Sequence, residues 1–223
     1  MVCNGTGGRR HPIFSPHDPI ALRNTLRREM RLRRRQLPPF RRRLANRALS
    51  RHLVTLPAYR RARSLAIYWP ADGEADVRGL AAHAWSCGKR LYLPVVGHDG
   101  AMRFAPWLPT GVLRRNRYGI PEPIGGRRRV PAARLDMLIM PLVVFDARGN
   151  RLGMGGGYYD RAIAGSRRRP VLVGAAFSLQ RAQAIPAQPW DIPLDMVVTE
   201  RGRQACRTAH HPPSQCKSRG AEQ

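Results

Sequence analysis

The residues best suited to chemistry lie in one glycine-rich segment, residues 151–160, which has the sequence RLGMGGGYYD. Four of the five positions 153–157 are glycine, so backbone N–H groups there are not obstructed by a Cβ, and such a run can wrap around the oxygens of a phosphate group. Arg151 adds a fixed positive charge. Asp160 adds a carboxylate, a ligand type that Mg²⁺ prefers. The segment therefore predicts a site for a phosphorylated ligand and a metal ion.

The surrounding sequence places this segment between a strand and a helix. It follows residues 136–145 (DMLIMPLVVF), a strongly apolar run, and leads into a helix predicted at 158–164. In α/β folds this position lies at the carboxyl edge of a parallel sheet, where ligands bind, and the helix N-terminus adds positive potential. Asp146 and Gly149 are most simply turn formers. The segment has neither the GK[ST] of a P-loop nor the GxGxxG spacing, so neither standard nucleotide motif applies.

Short apolar runs alternate with helix-type segments through the chain after Pro57. We predict strands at 64–69, 90–96, 136–145, 170–177 and 195–199, and helices at 75–87, 158–164 and 179–184. Strands that are apolar on both faces and alternate with helices form a largely parallel sheet that is covered on both sides. The predicted fold class is therefore α/β, with three α/β/α layers.

Residues 20–56 have a helical pattern, interrupted at Pro38 and Pro39, which predicts two helices joined at a proline turn. The other face of these helices is rich in arginine, and Glu29 is its only acid. By sequence alone, most of these arginines would be solvated. They are Arg23, Arg27, Arg28, Arg31, Arg33, Arg34, Arg35, Arg41, Arg42, Arg43, Arg47 and Arg51.

A chain of 223 residues that is 43% hydrophobic can bury one sizeable core. We predict one domain over residues 20–201, a disordered extension at 1–19 and a disordered tail at 202–223. The tail contains zinc-ligand types (Cys206, His210, His211 and Cys216), but no apolar run surrounds them to bury a metal. No apolar run approaches the length of a membrane span and no secretory signal is visible, so we expect a cytoplasmic protein without a membrane partner.

The net charge of +26 raises a nucleic-acid partner as the competing interpretation. All the basic residues except Lys89 and Lys217 are arginine, however, and a GC-rich genome would enrich arginine without any partner. The chain also lacks the aromatic platforms and motifs that read nucleic acids. A nucleic-acid-binding module is therefore the alternative function, and an enzyme acting on sugar phosphates or acyl groups would rest on fold alone.

The run at 145–161, FDARGNRLGMGGGYYDR, closely resembles the signature of the 5-formyltetrahydrofolate cyclo-ligase family, also called 5,10-methenyltetrahydrofolate synthetases. Further matches follow in the family's order: the basic pair Arg23 and Arg27, Glu74 in YWPADGEAD, YGIPEP at 118–123, and WDIPLDMVVTE at 190–200. The resemblance covers about residues 20–201. It implies a three-layer α/β/α domain, for which we predict a monomer.

The resemblance also implies a reaction. ATP would transfer its terminal phosphoryl group to the formyl oxygen of 5-formyltetrahydrofolate, and N10 of the folate would then attack the formyl carbon. The products would be 5,10-methenyltetrahydrofolate, ADP and phosphate. No enzyme nucleophile is required, so catalysis would rest on positioning and on neutralising charge.

Carried over position by position, the resemblance assigns a role to each matching residue. ATP would contact Arg23, Arg27, Arg151, Leu152, Gly153, Met154, Gly155, Gly156, Gly157, Tyr158 and Tyr159. The folate would contact Trp69, Glu74, Met154, Gly155, Gly156, Gly157 and Tyr158. Arg151 and Tyr158 would be catalytic, and Asp160 and Asp191 would hold Mg²⁺.

Four of these residues also have a simpler explanation. Asp160 is an acid in a first helical turn, which is favourable to the helix dipole. Asp191 is a turn residue near a proline, and Glu74 is an ordinary charge near a helix start. Trp69 is plain core. The sequence leaves these alternatives open.

Overall fold

The computed structural model describes residues 18–97, 99–124, 128–166 and 168–206. The helices are α1 (Pro19–Arg35), α2 (Pro39–Val54), α3 (Pro57–Arg61), α4 (Gly79–Ser86) and α5 (Tyr158–Ile163), with short 3₁₀ helices at Ala132–Arg134 and Ser178–Gln180. The strands are β1 (Ser64–Ala66), β2 (Arg90–Val96), β3 (Met102–Pro106), β4 (Leu113–Arg115), β5 (Pro121–Pro123), β6 (Met137–Pro141), β7 (Val144–Phe145), β8 (Arg151–Leu152), β9 (Val171–Ala175), β10 (Met196–Thr199) and β11 (Gly202–Ala205).

The main sheet has seven strands in the order β11-β10-β9-β6-β1-β2-β3. Its five inner strands are parallel to one another, while the edge strands β3 and β11 are antiparallel to β2 and β10. The predicted α/β class with a largely parallel sheet is confirmed. The two edge strands were not predicted, because short alternating segments give a weaker signal than strands that are apolar on both faces.

Both faces of the sheet are covered, as three layers require. Along β6, Met137 and Ile139 belong to a buried cluster with Leu53 of α2, whereas Leu138 belongs to a cluster with Ile163 of α5. Successive side chains of a strand point to opposite faces, which explains why the sequence of β6 is apolar throughout.

The two N-terminal helices form as predicted. Asp18 caps α1, since its Oδ1 accepts a hydrogen bond of 2.8 Å from the Ile20 amide, and Pro19 opens the helix. A proline also opens α2. None of the helices that the structure describes is long and apolar enough to span a membrane.

The domain is longer at both ends than the sequence predicts. Asp18 and Pro19 belong to α1, and β11 pairs with β10 from Met196↔Ala205 to Thr199↔Gly202. The expected disorder is therefore wrong for residues 18–19 and 202–205, because the helix cap and the sheet edge hold them. The remainder of the predicted extension and tail, residues 1–17 and 207–223, lies outside the described residues.

The predicted strand at 136–145 is divided in two. After β6 the chain leaves the main sheet, and β7 pairs with β8 in an antiparallel ribbon. This ribbon leads directly to the glycine segment. The helix predicted at 75–87 begins only at Gly79, and the one predicted at 179–184 is reduced to the 3₁₀ turn Ser178–Gln180.

Candidate active site

Residues 153–157, which we call the glycine loop, connect β8 to α5. Gly155 (φ +107°) and Gly157 (φ +61°) have backbone conformations that favour glycine. A Cβ at Gly156 would lie 2.7 Å from the Tyr158 ring. None of the amides at 153–157 donates a hydrogen bond to any residue that the structure describes. The loop therefore offers a set of N–H donors to an external acceptor.

Arg27 ties helix α1 to this loop. Its Nε donates to the Gly153 carbonyl oxygen over 3.0 Å, and its Nη1 donates to Oδ1 of Asn24 over 2.8 Å. Burial lowers the pKa of Arg27 from its ordinary value, and the neighbouring charge of Arg23 lowers it further, while Asp191 opposes the shift. An anion bound here would relieve the repulsion between the two guanidinium groups.

Arg23 and Asp191 form a two-pronged ion pair. Nη1 of Arg23 lies 2.5 Å from Oδ2 and Nη2 lies 3.0 Å from Oδ1 of the carboxylate. Arg23 also donates to the Pro186 carbonyl oxygen over 2.7 Å, and the Gln188 amide donates to Asp191 over 2.9 Å. Arg23, predicted to bind ATP, and Asp191, predicted to bind Mg²⁺, thus neutralise each other's charge. The Arg23 residue is only 8% exposed.

Arg151 is buried and holds Asp160. Its Nη2 donates to Oδ1 of Asp160 over 2.8 Å, and its Nη1 donates to the carbonyl oxygen of Ile192. The Ile192 amide donates back to Oδ1 of Asp160 over 3.1 Å. Because Ile192 follows Asp191, the carboxyl-bearing residues predicted to bind metal are brought to the same part of the fold.

The second oxygen of Asp160, Oδ2, accepts no hydrogen bond from the described part of the chain. In the described ranges no three His, Cys, Asp or Glu side chains cluster as a ready-made metal site. Carboxylate oxygens are ligands that Mg²⁺ prefers, and Oδ2 of Asp160 is such an oxygen, whereas both oxygens of Asp191 are bonded to Arg23.

Tyr158 reaches across the site to a residue 40 positions earlier in the chain. Its hydroxyl oxygen lies 3.0 Å from that of Tyr118, in the turn between β4 and β5. This hydrogen bond raises the pKa of Tyr158 and lowers the pKa of Tyr118. The YGIPEP segment and the glycine loop therefore meet. The resemblance pointed to the segment at 118–123 without giving it a role.

Glu74 lies in the loop after β1. Its Oε2 accepts a hydrogen bond of 3.0 Å from the Ala71 amide, and burial raises the pKa of the carboxyl group to about 7. Burial raises the pKa of Tyr159, and the nearby charge of Glu74 adds to the shift, so helix α5 packs close to this carboxylate. Glu74 precedes the first residue of α4 by five positions, so it is not a helix-start charge.

Trp69 belongs to an aromatic cluster. Its ring meets that of Trp107 edge-on at 5.9 Å between centroids, and Trp107 meets Trp85 at 5.0 Å. The Arg78 guanidinium lies 4.8 Å from the centre of the Trp69 ring. Trp69 is half-buried, so it packs on the core while part of its surface stays open to a ligand.

The sequence did not predict the roles of Asp72 and the second half of α1. Arg31, Arg34 and Arg35 all form ion pairs with Asp72, and Arg34 is completely buried. The expectation of solvated arginines is wrong for Arg34. The spacing i, i+3, i+4 does place these arginines on one side of a helix, but nothing in the sequence indicates the acid that they face.

The fold places the chain among α/β proteins with a largely parallel central sheet. The model of the 5-formyltetrahydrofolate cyclo-ligase family matches residues 19–200, and the chain belongs to this family. The resemblance noted from the sequence is thus confirmed.

Individual relatives agree with this assignment. The chain is 39% identical over 174 residues to the 5-formyltetrahydrofolate cyclo-ligase of Escherichia coli K12, covering 76% of this chain and 96% of that protein. The Haemophilus influenzae protein of the same name is 35% identical over 177 residues, covering 77% and 94%. The solution structure of Aquifex aeolicus 5,10-methenyltetrahydrofolate synthetase superposes with a TM-score of 0.74 at 32% identity, covering 89% of this chain and 100% of that one.

Proposed function

We propose that this protein is an ATP-dependent 5-formyltetrahydrofolate cyclo-ligase that forms 5,10-methenyltetrahydrofolate, ADP and phosphate. The observation that carries the proposal is the glycine loop, whose amides make no hydrogen bond within the described chain and lie beside Arg27, in a member of this family. Amides and a guanidinium are the groups that stabilise a transferring phosphoryl group.

The proposed chemistry needs no nucleophile from the protein. The formyl oxygen attacks the terminal phosphorus of ATP, and the bond to the ADP oxygen breaks. N10 then attacks the formyl carbon and loses its proton to solvent, and the phosphorylated oxygen leaves as phosphate. The protein aligns the two substrates and neutralises charge, which is sufficient for large rate gains in phosphoryl transfer.

Asp160 and Asp191 would hold a Mg²⁺ ion, which would supply positive charge to offset that of the phosphate oxygens. In the proposal, Arg23 exchanges its pair with Asp191 for a pair with the triphosphate. This exchange would keep each charge paired, which matters because an uncompensated charge in such a buried position is costly. The exchange explains why Arg23, predicted to bind ATP, and Asp191, predicted to bind Mg²⁺, lie in contact with each other.

Arg151 has a different role from the direct contact with ATP that the resemblance implies. Its side chain is almost fully buried, and its guanidinium donates hydrogen bonds to Asp160 and to the Ile192 carbonyl oxygen. We propose that Arg151 positions the carboxylate of Asp160. Tyr158 stands at the open end of the loop and contacts Tyr118, so we assign it to the folate side.

Glu74 would recognise the pterin ring, because a carboxylate accepts hydrogen bonds from the pterin's N–H donors. Trp69 offers an aromatic surface in the same segment of chain. The cytoplasmic location and monomeric state expected from the sequence stay predictions. Nucleic-acid binding loses part of its support, since Arg23, Arg27 and Arg34 are engaged inside the fold.

The test is a spectrophotometric assay with 5-formyltetrahydrofolate and MgATP, in which the conjugated methenyl bridge absorbs in the near ultraviolet. We expect wild-type protein to give this signal together with stoichiometric ADP. Asp160→Asn should lose it, whereas Asp99→Asn, in an exposed loop, should not. Well-folded wild-type protein that produces neither the absorbance nor ADP would exclude the proposed function.

A further inference from the structure

The carboxylate of Asp72 is surrounded by three arginines of one helix. Oδ2 accepts from Nε of Arg31 at 2.8 Å and from Nη2 of Arg34 at 3.0 Å, and Oδ1 accepts from Nε of Arg35 at 2.5 Å. The Asp72 carbonyl oxygen also accepts from Nη2 of Arg34 at 2.9 Å. These bonds hold the loop after β1 against the C-terminal half of α1.

The backbone of Asp72 has a conformation that few residues other than glycine adopt. Its φ is +49°, and it is the only non-glycine residue with positive φ in the described part of the chain. Such a conformation persists when surrounding contacts stabilise it, and residues of this kind cluster at functional sites. Here the hydrogen bonds from the three arginines stabilise it.

Arg34 joins a third segment to the same contact. Its side chain is fully buried, and Nη1 donates to the carbonyl oxygen of Leu142 at 3.3 Å, at the point where the chain leaves β6 for the ribbon and the glycine loop. A buried guanidinium is tolerated only when its charge and its donors are matched. Arg34 therefore connects α1, the loop of Asp72 and the segment that leads to the glycine loop.

Glu74 follows Asp72 by two residues in a loop that closes on itself. The Glu74 amide donates to the Ala71 carbonyl oxygen at 2.9 Å, and the Ala71 amide donates to the Glu74 carboxylate. A displacement of Asp72 would therefore displace Glu74. In the middle of α1, Arg27 contacts the glycine loop. The seven residues from Arg27 to Arg34 span about 10 Å of rigid helix.

We propose that Asp72 and Arg34 are positioning residues that lock the loop at 70–74 to helix α1, and so fix Glu74 at a set distance from the glycine loop. This inference rests on the proposed function, because it assigns folate to the loop held by the C-terminal end of α1 and ATP to the glycine loop that the middle of α1 contacts. The residues act through Glu74 and touch neither substrate. Their loss would weaken folate binding and leave nucleotide binding intact.

The charges near Glu74 provide a readout that distinguishes positioning from general stability. The groups that face its loop are Arg34 of α1, Asp72 of the loop, Arg42 of α2, Tyr68 after β1 and Tyr159 of α5. Arg34 lowers the pKa of Glu74 and Asp72 raises it. If the loop stayed in place, removing the two charges would shift the titration of Glu74 in opposite directions, whereas a displaced loop would expose Glu74 and lower its pKa in both variants.

The experiment compares Asp72→Asn and Arg34→Met with Arg33→Met. Asparagine keeps the shape of Asp72 and tolerates positive φ. Arg33 is the matched control, because it lies on the same helix but pairs only with the exposed Glu29. We expect the KM for 5-formyltetrahydrofolate to rise about tenfold in both test variants, the loss expected for one buried charged hydrogen bond. The KM for MgATP should be unchanged in both test variants, and Arg33→Met should leave the KM of either substrate unchanged.

The pH dependence of folate affinity is measured on the same proteins by calorimetry. The midpoint assigned to Glu74 should move to lower pH in both Asp72→Asn and Arg34→Met, because a displaced loop exposes the carboxyl group whose burial raises its pKa. An unchanged folate KM in both test variants, or two midpoints that move in opposite directions, would overturn the inference. If Arg34→Met does not fold, Asp72→Gly, which also accepts the backbone conformation, takes its place for the KM comparison.

The failure of the inference differs from the failure of the proposed function. Folate and nucleotide affinities measured by calorimetry require no turnover. Wild-type protein that binds both molecules without forming product would refute the proposed function, and the variants would still decide whether Asp72 and Arg34 position the folate loop.

Discussion

The guanidinium of Arg151 donates a 2.8 Å hydrogen bond to the carboxylate of Asp160, and both groups are also bonded to the backbone of Ile192. The start of α5, the strand β8 and the segment before β10 are thereby joined at one point. The proposed metal-binding residues depend on this junction for their position, although Arg151 itself is buried away from solvent.

Replacing Arg151 should therefore affect both stability and activity. Arg151→Met leaves the partly buried carboxylate of Asp160 without its charged partner and removes the donor to the Ile192 carbonyl oxygen, which we expect to lower the free energy of unfolding by about 3 kcal/mol. Urea denaturation measures this loss. Arg148→Met, in the exposed turn before β8, is the matched control. Equal urea midpoints for Arg151→Met and Arg148→Met would show that the hydrogen bonds of Arg151 do not stabilise the fold.

Gly155→Ala should weaken nucleotide binding. Alanine is strained at a φ of +107°, so the loop amides should shift, with a stability loss of about 1 kcal/mol. Gly165→Ala is the control, because Gly165 also has positive φ (+73°) and open space around it but lies after α5. We expect only Gly155→Ala to raise the KM for MgATP. A similar rise in both variants would indicate a general effect of strain.

The buried carboxyl group of Glu74 should make stability depend on pH. Its pKa is raised from 4.5 to about 7, so the folded state holds the proton more tightly than the unfolded state. Glu74 therefore contributes on the order of 2 to 3 kcal/mol to stability below pH 4.5, and this contribution is lost as the pH rises through 7. Glu74→Gln should remove this fall and be more stable than wild type at pH 8, but not at pH 4. Urea midpoints across this range measure the difference, and parallel curves for the two proteins would contradict it.

The hydroxyls of Tyr118 and Tyr158 should be coupled in folate binding. Tyr118→Phe and Tyr158→Phe each break the same hydrogen bond, so each should raise the folate KM and the double variant should be little worse than either one. Because both hydroxyls are near the surface, the change in unfolding free energy should be small. Kinetic constants of the two single variants and the double variant test this coupling, and fully additive losses would argue against it.

Much of the fold could be predicted because the periodicity of the sequence is a local property. The run at 137–141 is apolar throughout because β6 is covered on both faces, and the prolines at 19 and 39 mark where α1 and α2 begin. The edge strands β3 and β11 were missed because each has a polar face. The end of β6 was missed because β7 pairs with β8 rather than with the main sheet, and no local pattern shows that choice.

The sequence by itself determined the composition of the candidate site: a glycine loop that follows an apolar strand, with an arginine before it and an acid after it. It also carried the family resemblance. Only the tertiary structure decided what the charged groups face. Arg23 meets Asp191 across 168 positions of chain, and Arg34 meets Asp72 across 38. A guanidinium on an arginine-rich helix takes its role from the carboxylate opposite it, and packing between distant segments sets that partner.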